Sequence, residues 1–163
     1  MNLSGKAVKE FYEKYEISKE NILIIYDDVN IDLGVLRMRP NGSDGGQNGI
    51  KSVMYEMETD EIPRLRFGIK GGEELDKQRS DEGFSLADYV LSAFEEAEYE
   101  VLERSVETAK NAVLSYIDNG IADTMNRFNG STAEVNKPEA KPELKPGTQT
   151  DTKTENEREN NTN

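Results

Sequence analysis

Asn21-Ile22-Leu23-Ile24-Ile25-Tyr26-Asp27-Asp28 is the stretch whose reading decides the fold. Four consecutive aliphatic residues and a tyrosine lead directly into two carboxylates. A run this short, this uniformly apolar and this rich in isoleucine suits a strand covered on both faces, as in the centre of an α/β sheet. Period alone leaves a buried helix open; length and isoleucine content favour the strand. Such sheets hold their ligands just beyond the carboxyl ends of their strands, so Asp27 and Asp28 stand where chemistry is expected. The bland alternative is that the two residues only end the strand, as aspartate does in many turns.

Working outward, the segment before the strand reads as a helix. Val8, Phe11, Tyr12 and Tyr15 fall at i, i+3, i+4 and i+7 and share one face, with Ser4 as the expected N-cap. The helix is expected to end around residues 16–18. Asn2 sits just before the cap, within reach of whatever the helix start faces, although spacing alone does not select it. On the other side, residues 29–33 read as a connection closed by a turn at Gly34. Leu36-Arg37-Met38-Arg39 then alternates apolar and basic, as a half-covered strand does, and places Arg37 and Arg39 on one side. Pro40 ends that strand, because proline cannot continue a hydrogen-bond ladder.

Asn41-Gly42-Ser43-Asp44-Gly45-Gly46-Gln47-Asn48-Gly49 carries four glycines in the eight residues 42–49. Glycine admits positive φ and lets a ligand approach the backbone. Ile50, Val53, Met54 and Met57 continue as a helical stripe, so the loop opens a helix whose first N–H groups can receive anionic oxygens. Neither a Walker loop nor Gly-x-Gly-x-x-Gly is present, and a glycine-rich surface turn is the plain alternative. Gln47 and Asn48 bring amides but no proton chemistry. Arg64-Leu65-Arg66-Phe67-Gly68-Ile69-Lys70 alternates again. Together with Arg37 and Arg39 it suggests a phosphate-facing surface, or else two solvated strand faces whose arginines pair with nearby Glu. Residues 71–83 read as a polar loop, and residues 84–94 are ambiguous by period. Leu102, Val106, Ala109, Val113 and Ile117 mark a long amphipathic helix closed by Gly120, followed by a short helix over 121–127. The glutamates at 95, 96, 98, 100 and 103 favour the positive end of that helix dipole and spread too widely to converge on a metal.

Composition narrows the chemistry further. The 163 residues contain no cysteine and no histidine, which removes thiolate chemistry, the commonest neutral-pH base and the commonest metal ligand. The absence of cysteine fits a cytoplasmic protein. The net charge of −13, from 33 acidic and 20 basic residues, argues against broad nucleic-acid binding but leaves room for a local basic patch. No apolar run approaches a membrane span. Three of the five prolines, at 138, 142 and 146, fall in a stretch after Asn129 without aromatics. Residues 130–163 are therefore expected to form a disordered polar tail behind a single domain over 1–129; no partner for the tail is indicated.

Met1-Asn2-Leu3-Ser4-Gly5, the strand ending in Tyr26-Asp27-Asp28, Gly42-Ser43-Asp44-Gly45-Gly46-Gln47-Asn48-Gly49 and Arg64-Leu65-Arg66-Phe67-Gly68-Ile69 resemble the bacterial peptidyl-tRNA hydrolase family, in order and at matching spacing. Asn126-Arg127-Phe128-Asn129 fits its ending. The resemblance implies an α/β fold, a mixed sheet flanked by helices, and hydrolysis of the ester joining peptide to tRNA without metal or cofactor. It implies that Asp27 orients a catalytic histidine, that Asn2 and Asn48 hold substrate and the attacking water, and that Arg37 and Arg39 face the tRNA. It also favours a strand over residues 87–91. The family begins with a strand, an Asn-Pro-Gly turn and the catalytic histidine, all upstream of the position of Asn2, and many members carry histidine where Gln47 stands. Two expectations follow. One is a hydrolase whose sequence here is N-terminally truncated, leaving an exposed sheet edge beside residues 22–26. The other is a catalytically dead short form that binds tRNA or a protein partner.

Overall fold

The computed structural model describes residues 3–71 and 85–129. Asn2, most of the loop expected over 71–83 and the tail expected over 130–163 lie outside the described residues. Helix α1 (Ser4–Lys14) leads through a 3-10 turn into strand β1 (Ile24–Asp32), strand β2 (Leu36–Arg39), helix α2 (Asn48–Met57), strand β3 (Arg64–Lys70), the short helix α3 (Leu86–Leu91) and the long helix α4 (Tyr99–Phe128). The three strands form one mixed sheet in the order β1-β3-β2. β3 runs parallel to β1 and antiparallel to β2. Ile25, Leu65 and Met38 stand abreast, as do Asp27, Phe67 and Leu36, and these rows share one face.

Each face of the sheet has its own apolar cluster. Leu36, Met38 and Leu65 pack with Ala112, Tyr116 and Phe128 of α4. Ile50 and Val53 of α2 pack with Ile62, and Ile24, Tyr26 and Val8 join them. The sheet is therefore flanked by helices on both sides, as expected. α1 crosses α2 closely enough that a Cβ on Gly5 would lie 2.1 Å from the Ser52 carbonyl oxygen. The outer edge of β2 is closed by one side chain. Asn129 accepts from the Met38 N–H at 2.6 Å and donates to the Met38 carbonyl at 3.0 Å, completing the ladder an edge strand leaves open.

Several expectations are corrected. β1 does not end at the paired aspartates but runs on to Asp32. It spends four residues from Asp28 to Asp32 where β3 spends two, from Gly68 to Lys70, so the connection expected over 29–33 is mostly a bulged continuation of the strand. The bulge presses on β3 so tightly that a Cβ at Gly68 would sit 2.2 Å from the Asp32 carbonyl oxygen. Nor is β1 central: among the described residues it forms an edge, and Ile25 is 51% exposed. Ser4 is the first residue of α1; Leu3 occupies the N-cap without a side-chain hydrogen bond. Phe11 and Tyr15 stay exposed and stack on each other, their ring centroids 5.6 Å apart.

α4 breaks at Gly120 as its sequence suggests, with φ 75° there. Its buried face is displaced from the expected stripe, however. Ser105, Thr108, Ala112, Ser115 and Tyr116 face inward, while Val106 and Ile117 are exposed. Ser105 and Thr108 donate to the carbonyls of Val101 and Arg104 one turn back, so these small polar residues are buried without an unmet hydroxyl. Residues 87–91 form a helix, not a strand. Ser85 caps it in a capping box with Asp88, each side chain bonding the other residue's N–H.

Candidate active-site cleft

A cleft of about 410 Å3 opens where β1, the glycine loop and α3 meet. β1 contributes Asp27, Asp28, Val29 and Asn30, the loop contributes Gly45, Gly46, Gln47 and Asn48, and α3 contributes Leu86, Ala87, Val90 and Leu91. The two neighbouring carboxylates differ in what holds them. Asp28 is buried and committed. One of its oxygens accepts from the Asn30 N–H at 2.8 Å, closing the bulge, and the other accepts from Arg66 Nε at 2.6 Å with Arg66 Nη2 at 2.5 Å. Among the described residues Asp27 has only a long contact from Gln47 Nε2 at 3.4 Å, so its oxygens stay available to another donor.

The loop is held at both ends. Asp44 accepts from the Gly46 N–H at 2.7 Å, and Gln47 N-caps α2 by accepting from the Gly49 N–H at 2.7 Å. At its start, Arg64 donates to the carbonyls of Gly42 and Ser43, and it also bonds those of Asp60 and Ile62. Arg64 is 1% exposed, and among the described residues its charge is met by main-chain oxygens. This argues against a phosphate-facing row on β3 and fits the alternative of pairing for two of its basic residues, with aspartate in place of the expected glutamate. Arg64 is buried under the loop, Arg66 is paired with Asp28, and Lys70 pairs with Asp32 at 3.7 Å.

Of the site residues named from sequence, Asp27 and Asn48 line the same cleft. Arg37 and Arg39 are exposed on β2 and do not line it. Asn30 and the apolar wall of α3 belong to the cleft and were not anticipated. The Ser85-x-x-Asp88 spacing was the legible signal for α3. At that cap the Ser85 hydroxyl and N–H hold the Asp88 carboxyl below the usual carboxylate range. Among the described residues no group of three or more acidic side chains is arranged to hold a metal ion, and no helix is long and apolar enough to cross a membrane.

Fold and cleft together define an α/β protein whose mixed sheet presents a free carboxylate and side-chain amides beside a glycine-rich helix start. Comparison with known proteins names the group. The profile of the peptidyl-tRNA hydrolase family matches residues 1–138, nine residues past the boundary expected at Asn129. The chain is 46% identical over 133 residues to the peptidyl-tRNA hydrolase of Clostridium botulinum strain Alaska E43, covering 82% of this chain and 64% of that protein. It is 40% identical over 135 residues to that of strain Hall, covering 83% and 66%. The fold superposes on the crystal structure of peptidyl-tRNA hydrolase from Acinetobacter baumannii with a TM-score of 0.68 at 27% identity, covering 82% of this chain and 63% of that one. The chain belongs to the peptidyl-tRNA hydrolase family. It spans slightly under two thirds of the length of the relatives it matches.

Proposed function

We propose that this chain supplies the carboxylate-and-amide part of a site that hydrolyses the ester between a peptide and the terminal ribose of tRNA, releasing tRNA for reuse in translation, in the cytoplasm. The observation that carries this reading is the division between neighbouring carboxylates. Asp28 is bound up by Arg66 and the bulge, whereas Asp27 faces the cleft beside Asn48 with oxygens to spare. In the reaction, water adds to the ester carbonyl and the ribose oxygen leaves. An imidazole takes the proton of the water, Asp27 orients that imidazole and stabilises its charge, and the Asn48 amide holds the water or the carbonyl oxygen. Asn2 supplies a second amide. Arg37 and Arg39, exposed on β2, meet tRNA phosphates outside the cleft. No metal or cofactor enters. Residues 1–129 act as the functional unit and 130–163 as an appended tail.

The 163 residues hold no histidine, so the imidazole of this scheme comes from outside them. By themselves they retain only Asp27 as a weak base. A second reading follows from the same count: the chain by itself binds tRNA or a protein partner without turnover. Both are tested by assaying N-acetylated aminoacyl-tRNA hydrolysis with the chain as written and with the family's histidine-bearing segment added upstream. Negligible turnover alone and robust turnover with the segment support the hydrolase reading. Robust turnover by the chain alone refutes the role given to the imidazole. Tight tRNA binding with no turnover in either form favours the second reading.

A further inference from the structure

α3 shows its apolar side to the cleft instead of to the core. Tyr89 is the residue that ties it down: its hydroxyl donates to the Ile69 carbonyl at 2.8 Å and accepts from the Gly71 N–H at 2.6 Å. At the helical advance per residue, Leu86, Val90, Ala87 and Leu91 fall on one continuous arc of about 140° away from Asp88 and Tyr89. All four line the cleft. Leu86 is 58% and Leu91 84% exposed, a large apolar area for a helix whose N-terminus is firmly capped. Val29 of the β1 bulge adds to the apolar lining. The rest of the lining is acidic, amide or glycine, Asp27 and Asn48 among it.

A cleft with an acidic and amide lining and one aliphatic wall fits a ligand with a polar reacting group and an aliphatic branch next to it. We infer that α3 is a specificity wall: it receives the side chain of the amino acid whose carbonyl forms the scissile ester, favouring bulky aliphatic residues and disfavouring acidic ones. The inference rests on the hydrolase reading for the identity of the polar group. The aliphatic preference comes from covering Leu86, Val90 and Leu91, and the acidic penalty from Asp27 and from desolvating a carboxylate against leucine.

The test uses the chain as written with N-acetyl-leucyl, N-acetyl-glycyl and N-acetyl-aspartyl groups joined by a non-hydrolysable amide to the 3′ position of adenosine. Affinities are read from amide chemical shifts. The leucyl probe binds about tenfold tighter than the glycyl probe, in line with one aliphatic side chain on a partly open wall, and the aspartyl probe binds weakest. Leu91→Ser reduces the leucyl-to-glycyl ratio to about twofold or less. Ile117→Ser, on the exposed side of α4, leaves the ratio unchanged; both positions are exposed enough for the variants to fold, which circular dichroism checks. Equal affinity for leucyl and glycyl probes overturns the specificity wall and leaves the hydrolase reading intact. If N-acetyl-leucinamide outbinds N-acetyl-glycinamide and adenosine adds nothing, the wall stands and the hydrolase reading falls. If no probe binds, both fall.

Discussion

At the scale of single residues, the site depends on two adjacent aspartates with opposite duties. Asp28 holds the bulge and Arg66 together, so removing its carboxylate leaves a half-buried guanidinium and the Asn30 N–H without their partner. Asp28→Ala is expected to cost about 2 kcal/mol, below the range for fully buried pairs because Arg66 keeps some solvent contact. Asp27→Ala is expected to change stability by less than about 0.5 kcal/mol, since only one long contact is lost. Urea unfolding of the two variants distinguishes them, and equal losses would contradict the assignment. Both carboxylates were legible in the sequence as candidates. Their division of labour was not, because it depends on an arginine 38 positions away, paired across the sheet. Arg64 was misjudged for a similar reason. Strand alternation assigns a face to a side chain but cannot tell that the glycine loop folds over that face and offers it carbonyls.

At the scale of elements, α1 and α2 meet at Gly5 without room for a side chain. Gly5→Ala forces the helices apart and is expected to lower stability by about 2–3 kcal/mol, read as a shift in urea midpoint. α4 is tied to the chain before β1 by Tyr116, whose hydroxyl donates to the carbonyls of Glu20 and Ile22. Burial, and then the charge of Glu20, raise the Tyr116 phenol above its ordinary value near 10. Below about pH 10 the phenol is neutral in both folded and unfolded chains and its contribution is intact. Above that the unfolded chain ionises first, and stability falls until the folded phenol ionises as well. The wild-type chain should therefore lose more stability between about pH 9 and about pH 11 than Tyr116→Phe does. An identical loss in the two would show that the phenol does not carry it. β2, β3, α1 and α2 were legible because each has a clear apolar period, and β1 because its short apolar run is rich in isoleucine. α4 was legible as a helix but not in its orientation, because its buried stripe is built of serine, threonine and alanine that a hydropathy pattern passes over. For α3 the period is ambiguous and the resemblance favours a strand, whereas the Ser85 and Asp88 capping box fixes a helix.

At the scale of the whole molecule, the open side of β1 is the feature of most consequence. Ile25 lies beside an apolar groove bordered by Phe67, Ile69, Leu102 and Val106, and among the described residues β1 has a strand partner on one side only. An exposed apolar edge favours association. Ile25→Lys is expected to lower fluorescence of a bound apolar dye and to raise the concentration at which the 163-residue chain stays in solution; no change in either would mean the groove is covered in solution. The mixed sheet and its flanking helices were readable from pattern and resemblance together. The edge position of β1 was not readable from its apolar run, since such a run describes a strand that suits cover on both faces and says nothing about whether cover is present. The cleft was half legible: its polar lining carries recognisable residue types, while its aliphatic wall resembles ordinary core until the fold shows which way it faces.

Asp27 is the carboxylate we propose to orient the imidazole of a hydrolytic site. The most direct measurement is the rate of N-acetyl-aminoacyl-tRNA hydrolysis by the form carrying the upstream histidine segment, with and without Asp27→Ala. A fall of at least about a hundredfold, with stability unchanged, is the predicted result. Equal rates in the two forms would contradict it.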